Sequence, residues 1–453
     1  MLKTVRDAFK VKEIRERLFY TFLMLIVVRI GCQLPLPGTT AKSISQVMGQ
    51  FRNGAFGFFD AMTGGSFEQM SIFALNITPY ITSSIIIQLL TIAIPKLEEM
   101  QRDGEEGRKK IVSITRYLTV GLALVQALAT SISFGNKGLF GDINTMSKGE
   151  YAIAIVIAVA ALTGGSAFLM WVGENITEKG VGNGISIILL INIVARIPND
   201  FSSLFEQFVK NASSVGGSLL AAVIIVGVVV VIVGFVVFLQ DGERRISVQY
   251  SKKMQGRKLV GGASTHIPLK VNTAGVIPII FAQSLFSFPI VICQLVSGKT
   301  PKWTYFLESS RWWNFSKPIY SIGYLVYVVL VIAFAYFYTS ITFNPIEVAD
   351  DMKKQGGFIP GIRPGKPTQD YLNNILNYIV FIGAVGLLIV ATIPIAFAGI
   401  AGAKVSFGGT SLIIIVGVVL ETLKQIESQM LVRNYTGFLN VKGKSMKNSF
   451  LGY

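Results

Sequence analysis

Histidine and cysteine are nearly missing: the chain of 453 residues holds one histidine, His266, and two cysteines, Cys32 and Cys293. One histidine leaves no His cluster for a metal, and two thiols cannot make a disulfide framework. Both cysteines sit in or beside apolar runs and read as small buried hydrophobes. Charge is also scarce, at 15% of residues, where a soluble domain carries about 25%. That deficit excludes a disordered chain and an ordinary soluble enzyme. No G-x-x-x-x-G-K-[ST] loop occurs, so nucleotide is not bound by that route. The glycines of 180–184 have the wrong spacing for a dinucleotide loop, and Ser264, Thr265 and His266 lack a placed acid for a triad. No metal or other cofactor is expected.

What is there is apolar: 51% of the chain is hydrophobic. Ten runs are long enough to cross a bilayer as helices, at 18–36, 71–94, 111–134, 151–173, 183–200, 217–240, 271–297, 319–342, 374–400 and 408–432. They are continuous, not alternating, so they read as helix and not strand. The expected fold class is an all-α polytopic membrane protein with ten transmembrane helices. The first run has no convincing cleavage site and is read as a retained span.

Loop charge orients the spans. With the N-terminus in the cytosol, most of the 41 Lys and Arg fall in 1–17, 95–110, 174–182, 241–270, 343–373 and 433–453. Cytosolic loops carry such an excess, so both termini are placed there. The basic balance is thus an orientation signal first. The spans divide into 18–200 and 201–432, five and five, and an odd count makes the second half enter from the opposite side. The two halves are then pseudo-symmetric and inverted.

Acid is almost absent from the spans. Glu421 and Lys424 are three apart near the end of the last one and can pair. Arg29 lies well inside the first span, to snorkel or to face the bundle interior. Ion-coupled transporters usually keep Asp, Glu or His near the midplane, and ion pores use charged rings or carbonyl filters. Neither pattern is evident. Between the first two spans, residues 54–70 are apolar, glycine-punctuated and too short to cross. Two readings stand: a loop on the outer surface, or a short helix folded back as a stopper with glycines to let it swing.

Several stretches then fall into one pattern: Val28–Gly31 with Pro35–Gly38; Ser71–Leu75 with Pro79–Ile81 and Ile85–Leu90; Gly180–Ser186; and Gln255–Lys258. Further along come Ser264–Asn272 with Ala274–Pro278, Phe358–Gly365 and Phe407–Leu412. Together, from about 15 to 440, they resemble the SecY family of protein-conducting channel subunits. The resemblance implies a gated channel that translocates unfolded secretory polypeptides and releases hydrophobic segments sideways into the membrane. It implies a plug helix at about 57–70, including Phe58, Phe59, Met62, Gly64, Gly65 and Phe67. It also implies a pore ring of Ile77, Ile81, Ile185, Leu189, Ile280 and Ile414, with leucine at 189 where isoleucine is common. Ile77 and Ile81, like Ile185 and Leu189, share a helix face at a spacing of four, and a dry aliphatic collar can gate by dewetting.

By the same resemblance Gln88, Gln126 and Ser284 lie at a lateral gate, where their hydrogen bonds either latch it or only pack helices. Gln283 and Asn440 depart from residues frequent in relatives. Arg257, Lys258 and Arg363, in the cytosolic docking loops 241–270 and 343–373, are implied as contacts for the SecA ATPase and a translating ribosome. The other implied partners are SecE, SecG, signal sequences, preproteins and membrane lipids. The implied location is the plasma (inner) membrane of a bacterium, and the implied role is not enzymatic. A secondary transporter of a small solute also explains ten spans, but neither the missing midplane acids nor the basic loops. A structural assembly scaffold leaves the stopper segment unexplained.

Overall fold

The computed structural model describes residues 6, 9–49, 63–141, 147–210, 215–250, 253–255, 258–260, 264–297, 301–307, 312–313, 318–401 and 411–430. The chain forms two compact units, Met1–Pro198 with Val418–Tyr453, and Asn199–Gly417.

The first unit contains α1 (Lys12–Gln33), α2 (Ala41–Gly49), α3 (Thr78–Ala93), α4 (Pro95–Arg102), α5 (Gly104–Gly135) and α6 (Lys148–Lys179), and most of α7 (Gly184–Leu204). Local chemistry sets several ends. Ser147 and Glu150 form a reciprocal capping box on α6, with the Ser147 N–H donating to Glu150 Oε2 at 3.1 Å. Pro79 sits in the first turn of α3. Pro95 holds Ile94 extended, at φ −114° and ψ 109°. The axis therefore turns by 107° between α3 and α4. Both α5 and α6 extend past the apolar runs 111–134 and 151–173 that locate them. A helix ends where its backbone loses partners, not where its side chains turn polar.

The second unit begins within α7 and continues through a π-helical turn, Phe205–Lys210, into α8 (Val215–Asp241). Then come β1 (Glu243–Tyr250), β2 (Lys253–Gln255), β3 (Lys258–Val260), β4 (Ser264–Lys270), α9 (Ile277–Ser297) and α10 (Ile322–Thr342). The unit continues with α11 (Pro345–Lys354), β5 (Gly357–Phe358) and α12 (Lys366–Ala401). A last helix, α13, spans 411–430. Its later part packs in the first unit, where Ile14, Val181 and Ile426 form a small buried cluster.

Each of the ten expected runs thus holds a helix. Among the described residues six helices are long and apolar enough to cross a membrane, or seven if the bent pair α3–α4 counts as one span. The strands are an addition that helical runs do not announce. They lie inside the two expected docking loops.

Candidate functional site

Among the described residues, polar chemistry concentrates in two places, one in each unit.

In the first unit, residues 63–77 thread between α1, α6 and α7. Leu36 N–H donates to the Met70 carbonyl and Ile72 N–H to the Leu34 carbonyl, both at 3.0 Å. Ser66 Oγ donates within the segment, to the carbonyls of Thr63 (2.8 Å) and Phe73 (3.1 Å). Ser166 Oγ of α6 donates to the Asn76 carbonyl at 2.9 Å, and Asn76 Oδ1 accepts the Ile77 N–H at 2.8 Å. Small residues allow this close approach. A Cβ on Gly31 would fall 2.0 Å from the Phe73 ring, and one on Gly165 would fall 2.3 Å from the Ile72 carbonyl oxygen. Thr63, Ser66, Met70, Ser71 and Asn76 are all buried. Ser66 Oγ and the Asn76 carbonyl have such partners, whereas Ser71 Oγ and Asn76 Nδ2 have none among the described residues, and an unmade bond costs about 1–3 kcal/mol.

Two basic side chains meet this segment. Arg29 Nη1 lies 3.4 Å from Asn192 Oδ1. Gly64, at φ +67°, is pressed against both residues, and a Cβ there would be 2.8 Å from the Asn192 carbonyl. Arg29 therefore faces the interior of its unit. One turn further along α7, Arg196 Nη2 lies 3.8 Å from Glu68 Oε2. Neither Asn192 nor the Glu68–Arg196 pair emerged from the sequence. Their signal was polar residues inside apolar runs, which are expensive in lipid and usually functional.

The expected stopper residues split. Gly64 and Gly65 are half-buried and Phe67 is buried, packed edge-on to Phe134 at a centroid distance of 5.9 Å. Phe58, Phe59 and Met62 lie outside the described residues. Of the expected ring, Ile77 and Leu189 are buried and Ile81 and Ile185 half-buried in the first unit, and Ile185 leans on Gly173 of α6. In the second unit Ile280 is half-buried and Ile414 buried. Gln88 on α3, Gln126 on α5 and Ser284 on α9 are half-buried, while Gln283 is buried.

The second unit builds a platform. Strands order as β4–β1–β5, all antiparallel, with Ile246 opposite Ile267 and Tyr250 opposite Gly357. The sheet ties loop 241–270 to loop 343–373. Alternation drives it: Ile246 and Val248 point inward from β1 while their neighbours face out. They join Leu269, Met352, Ile359, Leu372 and Ile379 in one buried cluster. Asn344 caps α11 by accepting the Ile346 N–H.

Arg363 stands exposed on a tight turn beside this core. Gly361 at φ +84° and Gly365 at φ +101° flank it, as left-handed turn positions require. Thr368 Oγ1 donates to the Arg363 carbonyl at 2.9 Å and fixes the turn from within. Lys258 lies on β3, while Arg257 is outside the described residues.

No group of His, Cys, Asp and Glu among the described residues is arranged to hold a metal ion.

The SecY family model matches residues 71–423. The protein translocase subunit SecY of Halalkalibacterium halodurans is 43% identical over 97% of this chain and 100% of its own length. That of Mycobacterium tuberculosis is 41% identical over the same shares. Among solved structures, a protein-conducting channel aligns with TM-score 0.64 at 18% identity, covering 94% of this chain and 97% of its own. Sec61 from a canine ribosome–channel complex aligns with TM-score 0.63, again at 18% identity, over 94% and 97%. These structures share the fold. With its apolar helices and these relatives, the chain is a multi-pass membrane protein, and it belongs to the SecY family.

Proposed function

We propose that this chain is the central subunit of a protein-conducting channel, passing unfolded secretory polypeptides across a membrane and releasing hydrophobic segments sideways. The observation that carries this is full-length likeness, at 41–43% identity, to curated protein translocase subunits. The small-solute reading has no comparable support.

The mechanism follows from side-chain chemistry. Ile77, Ile81, Ile185, Leu189, Ile280 and Ile414 form the constriction. A ring of branched alkyl groups offers a passing peptide no charge and no hydrogen bond, so any sequence can slide through, and it dewets when empty. The segment 57–70 is the plug, and its described part is built into the first unit. Gln88, Gln126 and Ser284 line the lateral gate. Hydrogen bonds between membrane helices average about 0.6 kcal/mol, weak enough for a signal sequence to break.

Ten spans, in halves 18–200 and 201–432, place segments 1–17 and 433–453 in the cytosol of a bacterium, with the channel in its plasma membrane. The chain is not an enzyme, and energy comes from partners. The platform around Arg363 suits them. An arginine on a rigid turn forks carboxylates of a motor protein or phosphates of ribosomal RNA. SecA and the ribosome dock there, with Arg257 and Lys258 on the companion loop. SecE and SecG complete the complex, and lipid surrounds it.

The test is protease protection of a preprotein. Proteoliposomes would hold this chain with SecE and SecG, with SecA and ATP outside. ATP-dependent protection that vanishes without this chain is the expected result. No protection, with the complex folded and SecA bound, would overturn the channel assignment.

A further inference from the structure

Two contacts from one face of α7 straddle the segment that precedes Ile77. Asn192 and Arg196 are four residues apart and share that face. Asn192 accepts from Arg29 and abuts Gly64, and Arg196 meets Glu68 four residues further along the segment. The Glu68 side chain is 34% exposed and that of Arg196 16%, so the pair is partly shielded from water and screened less than a surface pair. Beyond these contacts the segment passes through left-handed backbone at Met70 (φ 44°) and Asn76 (φ 51°). Residues other than glycine persist there when their surroundings over-determine them. Here the surroundings are the α1 loop backbone, Ser166 and the Gly31 and Gly165 approaches described above.

We propose that the Glu68–Arg196 ion pair is a positioning contact that fixes the base of the plug segment and thereby sets how tightly the resting channel seals. The proposal rests on the channel reading above and adds to it a named determinant of the seal. Its logic is positional. Ile77 and Ile81 start the helix into which this segment runs. The bonds at Met70, Ile72 and Asn76 hold the approach to α3, so losing the ion pair frees the stretch before Met70, which belongs to the plug. Hydrogen bonds hold the segment at Ser66, Met70, Ile72 and Asn76. The Glu68–Arg196 pair adds an ion pair to these tethers. Removing it raises the population of displaced bases in proportion to the lost coupling. For a partly exposed pair this amounts to roughly a two- to fivefold change.

The experiment measures chloride efflux per assembled channel from vesicles holding this full chain with SecE and SecG, without SecA. Glu68→Gln and Arg196→Gln are each expected to raise resting efflux about two- to fivefold. The charge-swapped pair, Glu68→Arg with Arg196→Glu, is expected to return it toward the unaltered level. A pair that only supports folding behaves otherwise: the denaturation midpoint falls while efflux per assembled channel stays level. That outcome overturns the proposal, as does a swapped pair as leaky as the single variants. If Arg196→Gln does not assemble, Glu68→Gln, at the more exposed partner, decides alone. Failure of the channel reading appears separately, as absent preprotein protection by the unaltered chain.

Discussion

Neighbouring glycines on α6 offer a matched pair of perturbations. Alanine at 165 puts a Cβ 2.3 Å from the Ile72 carbonyl oxygen and 3.0 Å from its carbon, while alanine at 164 meets nothing within 4 Å. The obstruction at 165 is backbone, so no rotamer relieves it. Ordinary contact begins near 3.4 Å, so α6 and the 63–77 segment must part by about 1 Å. That displacement stretches the Ser166-to-Asn76 bond from 2.9 Å to roughly 3.9 Å, beyond hydrogen-bond range. Overpacking costs about 1–3 kcal/mol, and a lost bond between membrane helices adds about 0.6 kcal/mol. Gly165→Ala should therefore destabilise the protein by about 2–4 kcal/mol. Gly164→Ala should be neutral or gain up to about 1 kcal/mol from helix propensity. The assay is denaturant unfolding of the purified complex in detergent, both variants side by side. Unfolding free energies equal within about 0.5 kcal/mol would refute the packing argument, because composition and helix position are otherwise the same.

Three further outcomes are expected. Gly31→Ala should destabilise by about 1–3 kcal/mol, and Phe73→Leu should recover part of the loss, since the obstruction is the Phe73 ring; a double-mutant cycle showing no coupling would count against it. Arg363→Glu should impair SecA-driven transport far more than membrane insertion of the chain itself, and unchanged ATP-driven protection would remove Arg363 from the docking surface. Ile81→Asn should raise resting ion efflux by wetting the constriction, whereas a silent substitution would take Ile81 out of the ring.

The helical runs were legible because each is a local property of 20 or so consecutive residues. The break between α3 and α4 falls where the apolar run 71–94 ends, and Pro95 dictates the backbone of Ile94 there. Gly361 and Gly365 flank Arg363 in the sequence, and left-handed backbone at both is what its turn requires. The strands within loops 241–270 and 343–373 were not legible. β5 is two residues long and has meaning only beside Gln249 and Tyr250, more than a hundred residues earlier. Short apolar alternation in a basic loop gives no hint of that partner.

The polar seam of the first unit divides in the same way. Sequence alone determined that Arg29 would lie in an apolar run and that glycines would punctuate 54–70. A spacing of four puts Asn192 and Arg196 on one helix face, though neither stood out from its apolar run. Tertiary structure alone decided that Arg29 reaches Asn192, that Arg196 reaches Glu68 and that Ser166 holds the Asn76 carbonyl. Each of these pairs is separated by tens of residues or more, and each forms because backbones come close at Gly31, Gly64 and Gly165. Periodicity records which face of a helix is apolar; the partner of that face depends on how the helices pack, and no single run of sequence carries that.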